Sequence, residues 1–197
     1  RDVFLSASWD DTVKLWTLNG PPGSVRTFAE HAYCVYASVW SPQHADIFAT
    51  ASGDCTLKIW DVRQPHSTLT IPAHEYEILS CDWNKYNDCV IATGSVDKTV
   101  KLWDVRNPSR ELATVRGHQY AVRRVKCSPH AENIVYTASY DMTVGMFDWK
   151  AAAAKCSTIA STGSIFRRLT SIDRPAKICL CARHASGILS TSSVMRW

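Results

Sequence analysis

The chain has 197 residues, of which 46% are hydrophobic and 20% are charged, and its formal net charge is +4. This length and apolar content suffice for a packed core in one or two domains. No run of about 18 apolar residues occurs, so we expect no membrane span. The eight cysteines show no Cys-x-x-Cys spacing, and they therefore predict reduced thiols in a cytosolic protein rather than a disulfide framework.

The positive charge is concentrated near the end of the chain. Residues 151–197 hold seven Lys and Arg residues against one aspartate, so residues 1–150 are mildly acidic. This balance argues against a nucleic-acid-binding face in the first 150 residues. Residues 150–197 form a divergent, basic, Ser/Thr-rich tail. We expect this tail to be poorly ordered, because it has too little apolar surface to offset the entropy lost on ordering.

Short β-rich runs separated by turn residues predict strands along the chain. The first group covers residues 4–8, 12–16 and 25–28. The second covers 35–40, 47–52, 56–60 and 68–71, and the third covers 78–83, 90–95, 99–103 and 112–115. The fourth covers 122–127, 134–139 and 143–147. The chain is therefore predicted to be all-β.

One short phrase recurs four times, as SWDDTVKLWT (8–17), SGDCTLKIWD (52–61), SVDKTVKLWD (95–104) and SYDMTVGMFD (139–148). Its aspartates are spaced by 44, 43 and 44 residues, and a histidine stands 23 residues before each of the last three. A period of about 40–45 residues, with a histidine near its start and Trp-Asp at its end, is typical of WD repeats. The sequence is therefore identified as a member of the WD-repeat β-propeller family.

Propeller sheets bury both faces only when neighbouring sheets stack on either side, in rings of about 4–8 blades. We expect an incomplete all-β WD-repeat β-propeller, with about three and a half blades of a ring of about seven. The predicted blades cover about residues 1–28, 29–71, 72–115 and 116–149. The sequence begins within a repeat, so we expect it to be a fragment of a larger ring.

Each repeat contains a histidine, a serine and an aspartate, the residue types of a nucleophilic triad. Structural networks are copied once per repeat, whereas catalytic sites are not, so we predict no enzyme and no metal or other cofactor. We expect the imidazole to donate to the aspartate and to accept from the serine, with the tryptophan indole supplying one more donor. The predicted network comprises His31, Ser52, Asp54, Trp60, His74, Ser95, Asp97, Trp103, His118, Ser139 and Asp141.

Several stretches between these landmarks resemble the receptors for peroxisomal targeting signal 2, the peroxin-7 family. They are HAYCVYASVWSP (31–42), TASGDCTLKIWDVR (50–63), IPAHEYEILSCDWNKYN (71–87) and GHQYAVRRVKCSPH (117–130), within a resemblance that covers about residues 3–148. The resemblance implies a cytosolic receptor that shuttles to the peroxisome with cargo proteins. Their N-terminal signal is an amphipathic helix with an early basic residue and a later histidine or glutamine. It also implies a co-receptor of the peroxin-5 class and contact with the peroxisomal docking machinery.

A basic amphipathic helix requires a groove with apolar contacts and a few carboxylates. Loops expected on one face of the ring carry aromatic and charged residues, and Tyr and Trp are enriched in binding hot spots. We expect Glu77 to pair with the basic residue of the cargo. The candidate peptide-binding residues are Glu77, Glu75, Tyr33, Tyr36, Tyr76, Tyr120, Arg123, Trp9 and Tyr140. The alternative for each of them is a structural role, in which the side chain covers the edge of a blade.

Two other functions stay open. Residues 60–63 and 103–106 both read Trp-Asp-Val-Arg, which fits the WDxR box of substrate receptors in cullin-RING ubiquitin ligases. A histone-binding propeller is the other alternative, because its partner is also basic.

Overall fold

The structure is a computed structural model that describes residues 2–20 and 23–155, with the backbone alone described for residues 153–155. In this part of the chain, β-strands form four antiparallel sheets, and one short helix follows the last strand. The all-β WD-repeat prediction is confirmed. Each sheet is a meander, in which strands adjacent in sequence are hydrogen-bonded neighbours.

The sheets follow one another along the chain. Sheet 1 consists of β1 (Val3–Ala7), β2 (Val13–Thr17) and β3 (Arg26–Phe28). Sheet 2 consists of β4 (Val35–Trp40), β5 (Ile47–Ser52), β6 (Thr56–Asp61) and β7 (Ser67–Pro72). Sheet 3 consists of β8 (Ile78–Trp83), β9 (Val90–Ser95), β10 (Thr99–Asp104) and β11 (Asn107–Arg116). Sheet 4 consists of β12 (Val122–Cys127), β13 (Ile134–Ser139) and β14 (Val144–Asp148).

Three apolar clusters lie between consecutive sheets. Phe28 and Trp60 belong to the cluster between sheets 1 and 2, and Leu57 and Ile78 belong to the cluster between sheets 2 and 3. The third cluster joins sheets 3 and 4 through residues that include Leu102. The sheets are therefore stabilised by stacking on one another, as expected when a sheet is apolar on both faces.

A polar contact reinforces the junction between sheets 3 and 4. The Ser80 hydroxyl oxygen accepts a hydrogen bond of 3.2 Å from the backbone N–H of Val125. Two residues further along both strands, the Asp82 carboxylate accepts one of 2.9 Å from the backbone N–H of Cys127. Side chains of β8 thus satisfy donors on the unpaired edge of β12, which would otherwise be buried without partners.

The strand β11 begins earlier than the sequence pattern predicts. It starts at Asn107 rather than near residue 112, and it therefore includes Pro108. A proline lacks the N–H that an inner strand needs, but it is tolerated at an edge. Since β11 is an outer strand of sheet 3, Pro108 costs the sheet no hydrogen bond.

A helix, α1 (Trp149–Lys155), occupies the start of the predicted tail. Asp148 caps it, since its carboxylate accepts a 3.1 Å hydrogen bond from the N–H of Ala151. The Trp149 side chain is buried against the cluster between sheets 3 and 4. The rest of the predicted tail lies outside the described residues. In the described part of the chain the single helix, α1, has seven residues, and no helical segment there could span a bilayer.

Candidate peptide-binding surface

A relay of hydrogen bonds holds the turns of each repeat in place. In sheet 3, the indole N–H of Trp103 donates to the Thr93 hydroxyl oxygen at 3.1 Å. That hydroxyl lies 2.8 Å from Nε2 of His74, and Nδ1 of His74 lies 2.6 Å from the Asp97 carboxylate. A carboxylate only accepts, so Nδ1 of His74 donates to Asp97.

The same relay recurs in the neighbouring sheets. His31 lies 2.7 Å from Asp54 and 2.7 Å from the hydroxyl of Thr50, which accepts from Trp60. In sheet 4, His118 lies 2.9 Å from Asp141 and 2.6 Å from the hydroxyl of Thr137, and Phe147 stands in the tryptophan position. In the described part of the chain, every buried side-chain nitrogen and oxygen has a hydrogen-bond partner.

The structure corrects the predicted role of the serines. Ser52, Ser95 and Ser139 do not contact the imidazoles; threonines two residues earlier do. Each serine ends its strand, where its hydroxyl donates to a backbone carbonyl in the preceding loop and accepts from the N–H of the turn aspartate. In the three described relays the serine hydroxyls therefore donate to loop carbonyls, and threonine hydroxyls stand at the histidines where a triad would place its nucleophile.

The turn aspartates are held in their charged form. Burial alone would raise the pKa of Asp97, but hydrogen bonds from His74 and Thr99 outweigh burial and lower the pKa to about 2. The pKa values of Asp54 and Asp141 also lie below the usual range, because hydrogen bonds from neighbouring histidine and threonine side chains outweigh burial. These carboxylates are therefore fixed acceptors of the fold.

The serines position a row of exposed tyrosines. Their hydroxyls donate to the backbone carbonyls of Tyr33, Tyr76 and Tyr120, at 2.7, 3.1 and 3.0 Å. The three tyrosines are 51, 58 and 60% exposed, although each stands two residues from a buried histidine. The repeat thus presents one solvent-facing tyrosine at a fixed position before each of sheets 2, 3 and 4, a suitable side chain for a binding surface.

Three of the predicted residues form a continuous contact across sheets 1, 2 and 3. The rings of Trp9 and Tyr36 meet edge to face, with centroids 6.3 Å apart. The Tyr36 hydroxyl donates to the Glu77 carboxylate at 2.9 Å. Burial, followed by the hydrogen bond and the charge of Glu77, raises the pKa of Tyr36 to about 12. We call Trp9, Tyr36 and Glu77 the acidic triplet.

A β-bulge aims the Tyr36 side chain toward the next sheet. The register of β4 against β5 skips Tyr36, and the same skip occurs at Leu79 in β8 and Arg123 in β12. Bulges redirect a side chain out of the regular alternation. Tyr36 and Arg123 were predicted as binding residues from their loop position, whereas Leu79, which is buried, was not.

The remaining predicted residues fall into two other places. Glu75 and Tyr76 line a cleft of about 480 Å³ together with Lys98, Lys101 and Arg116. Tyr120 and Tyr140 lie on neighbouring segments of sheet 4, joined by the hydrogen bond from the Tyr140 N–H to the carbonyl of residue 121. The cleft adjoins the acidic triplet, because Tyr76 directly precedes Glu77 and the Val96 N–H, also at the cleft, donates to the Glu77 carbonyl at 3.0 Å.

Close packing brings Tyr33 to the edge of the acidic triplet. A Cβ atom at Gly53 would stand 2.5 Å from Tyr33 and 3.2 Å from Tyr36. Only glycine therefore allows the two tyrosine rings to lie against the backbone of this turn.

Both Trp-Asp-Val-Arg boxes fold back on themselves. Arg63 makes a bidentate contact with the Asp61 carboxylate, and Arg106 makes the same contact with Asp104. The two arginine side chains remain 70% and 66% exposed.

Stacked antiparallel meanders with an exposed rim of loop residues define a β-propeller, here an incomplete one, a class of binding scaffold. The model of the WD domain, G-beta repeat, matches residues 23–61, 65–104 and 109–148, and the chain belongs to this WD-repeat family. Each match starts in or near the outer strand of one sheet and continues through the first three strands of the next. The repeat thereby links consecutive sheets covalently.

Curated relatives cover shorter stretches of the chain. It is 53% identical over 64 residues to the "Peroxisomal targeting signal 2 receptor" of Dictyostelium discoideum, covering 32% of this chain and 20% of that protein. It is 64% identical over 67 residues to "Peroxisome biogenesis protein 7" of Arabidopsis thaliana, covering 33% and 21%. It is 34% identical over 67 residues to Arabidopsis "THO complex subunit 3", covering 32% and 21%. The chain thus spans about a fifth of the length of these relatives, and the expected likeness to the peroxisomal receptors is confirmed over about a third of the chain.

Proposed function

We propose that the protein is a receptor that binds the N-terminal type 2 peroxisomal targeting signal of cargo enzymes and delivers them for import. The identities of 53 and 64% with two proteins named for this pathway support it. A stretch of similar length shares only 34% with a different protein, THO complex subunit 3. The likeness to the peroxisomal receptors therefore extends beyond the positions that the repeat itself requires.

The acidic triplet is the observation that carries the proposal. Glu77 is half-buried, and the Tyr36 hydroxyl donates to one of its carboxylate oxygens. Among the described residues no hydrogen bond engages the other oxygen, which in this proposal meets the ligand. Trp9 is 76% exposed and offers an apolar surface beside it. A carboxylate held beside aromatic rings suits a helix that carries a basic residue next to apolar ones.

In this proposal the protein binds its partners without chemical change to them and without a cofactor. It acts in the cytosol, moves to the peroxisome with its cargo, and is assisted there by a co-receptor of the peroxin-5 class and the docking machinery. The side chains used are those of loops and of the bulge in β4, while the histidine relays keep the sheets rigid.

The test is the affinity for a fluorescent type 2 signal peptide, measured by anisotropy. Glu77→Arg places a like charge against the basic residue of the signal, and we expect at least a tenfold loss of affinity, or about 1.4 kcal/mol. Glu77→Gln should lose less. The matched control is Glu111→Arg on β11, which should bind as the unaltered chain does. Equal affinities for the two arginine variants would refute the proposal.

The ligase alternative predicts a different result. A cullin-RING adaptor would bind through the exposed Arg63 and Arg106, and Arg63→Asp with Arg106→Asp would abolish its capture. Capture of the adaptor, combined with no affinity for the signal peptide, would favour that function instead. A histone tail competing with the peptide for Glu77 would favour the histone-binding alternative.

A further inference from the structure

Three cationic side chains line the cleft beside sheet 3. They are Lys98, Lys101 and Arg116, and the carboxylates in the same cleft are those of Glu75 and Asp97. The cations outnumber the carboxylates, so the cleft carries a net positive charge. Its volume of about 480 Å³ lies within the range of small-molecule sites, about 300–1,000 Å³.

The strand pairing places the cations side by side. Arg116 on β11 stands opposite Thr99 on β10, and Lys101 follows Thr99 by two residues. Side chains two residues apart in a strand point to the same face, so Arg116, Thr99 and Lys101 share one face of sheet 3. Lys98 directly precedes β10, in the turn at the same end of the sheet.

Sheet 2 shows what the fold itself requires at the position of Lys101. Lys58 is its counterpart, since both lysines stand four residues after the turn aspartate. The ammonium of Lys58 lies 3.8 Å from the carboxylate of Glu30, which directly precedes the relay histidine. In the next repeat that position is Ala73, and the ammonium of Lys101 donates to its carbonyl oxygen at 3.1 Å. Lys101 is thus held in place, but the carboxylate that partners its counterpart is replaced by an alanine.

The other two cations have no counterpart in sheet 2. Lys98 follows the turn aspartate at the position that Cys55 holds in sheet 2, and Arg116 stands opposite the strand threonine where sheet 2 has Pro72. Within the residues that the structure describes, no hydrogen bond or ion pair engages the Lys98 ammonium or the Arg116 guanidinium. Since sheet 2 forms without these two charges, the fold does not require them.

We propose that this cleft binds a phosphate monoester, carried by a small molecule or by a phosphorylated side chain. Such a group has a charge of about −1.5 to −2 at neutral pH and three strong acceptor oxygens. The guanidinium binds two of them as a planar fork, and the ammonium groups act as point charges. The cleft is larger than a phosphate, which leaves room beside Tyr76 for the group that carries it. Glu77 does not line the cleft, so this site is separate from the one in the proposed function.

Isothermal titration calorimetry of the unaltered full chain tests the site with O-phosphoserine, with a phosphoserine peptide and with the same peptide without phosphate. Arg116→Gln should weaken the binding of both phosphorylated probes about fivefold, and Glu75→Gln, which removes a like charge, should strengthen it about twofold. Arg110→Gln lies on the same strand outside the cleft and is the matched control, with no change expected. All three side chains are exposed, so these substitutions leave the core intact.

The probes also identify the source of the phosphate. Tighter binding of the phosphoserine peptide than of O-phosphoserine would support a phosphorylated side chain, and equal affinities would support a small phosphate ester. Failure of the unaltered chain to bind either phosphorylated probe, or equal affinity for the peptide with and without phosphate, would overturn the proposal. Equal losses in Arg116→Gln and Arg110→Gln would also overturn it, because binding would then follow the general surface charge.

Discussion

Asp82 gives the sharpest test of how the sheets are joined. Its side chain is 1% exposed and lies between β8 and β12. Its carboxylate accepts from the Cys127 N–H at 2.9 Å and lies 3.0 Å from the ammonium of Lys85 and 3.4 Å from that of Lys126. Asp82→Ala removes all three contacts and leaves a buried backbone donor without a partner.

The loss of stability expected for Asp82→Ala depends on how exposed each partner of the carboxylate is. The orphaned N–H of Cys127 should cost about 1–3 kcal/mol. Lys85 and Lys126 are 35% and 55% exposed, so both ammonium groups regain water and their lost pairs add no more than about 1 kcal/mol. We therefore expect Asp82→Ala to lower the free energy of unfolding by about 1–4 kcal/mol. Asp82→Asn keeps an acceptor oxygen for Cys127 and should cost about half as much.

Urea unfolding followed by tryptophan fluorescence measures this change, since the midpoint and slope give the free energy. Asp46→Ala is the control, because this aspartate is 52% exposed and 3.9 Å from its partner; its change should stay within about 0.5 kcal/mol. If Asp82→Ala were as stable as the control, the inter-sheet role of this carboxylate would be wrong.

Three further predictions concern the relay and its turns. Thr93→Val should lower the free energy of unfolding by about 1–3 kcal/mol for each relay group that is left without a hydrogen bond. If Thr93 joins Trp103 to His74, calorimetry should show a larger loss of stability for Thr93→Val than for Ser95→Ala. The pKa of Asp97 is about 2 in the folded protein against a usual value of 3.8. The free energy of unfolding should therefore be constant near neutral pH and fall as the pH drops from about 4 to 2. Urea unfolding of Asp97→Asn should show a weaker pH dependence in this range, and the same pH dependence as the unaltered chain would count against the relay. Lys98 has a φ of 71°. Lys98→Gly should raise the melting temperature, because relief of a left-handed conformation that costs about 1–2 kcal/mol exceeds the entropic cost of glycine, about 0.5–1 kcal/mol. No gain would show that the turn is not strained.

Much of the fold could be predicted because the repeat marks its own strands. The predicted strand 78–83 has the bounds of β8, and 90–95 has those of β9. The recurring phrase marks a turn and a strand in every repeat, so each copy supports the others. The division into blades at the predicted boundaries stays a prediction.

The roles of particular polar residues could not be predicted as well. Serine and threonine both stand near the end of a strand, and only the pairing register shows that Thr93 reaches His74 whereas Ser95 meets the loop carbonyl. The bulges at Tyr36 and Arg123 are also properties of register. The burial of Asp82 could not be predicted from the sequence, because a lone aspartate in a strand is most often exposed.

The residues of α1 themselves predict a helix, although the average composition of the tail does not. Asp148 is a favourable N-cap and residues 151–154 are alanines, the residues with the highest helix propensity. The basic, Ser/Thr-rich composition of the following residues led instead to the prediction of a poorly ordered tail. A short capped segment can therefore be helical within a stretch whose average composition predicts otherwise.

In the proposed receptor, the Glu77 carboxylate recognises the basic residue of a targeting helix. A charge exchange tests it most directly: the affinity of Glu77→Arg is measured for the type 2 signal and for the same signal with its basic residue replaced by glutamate. We expect each single exchange to weaken binding at least tenfold and the paired exchange to recover most of that loss. Independent losses that add together, with no recovery in the pair, would contradict the contact.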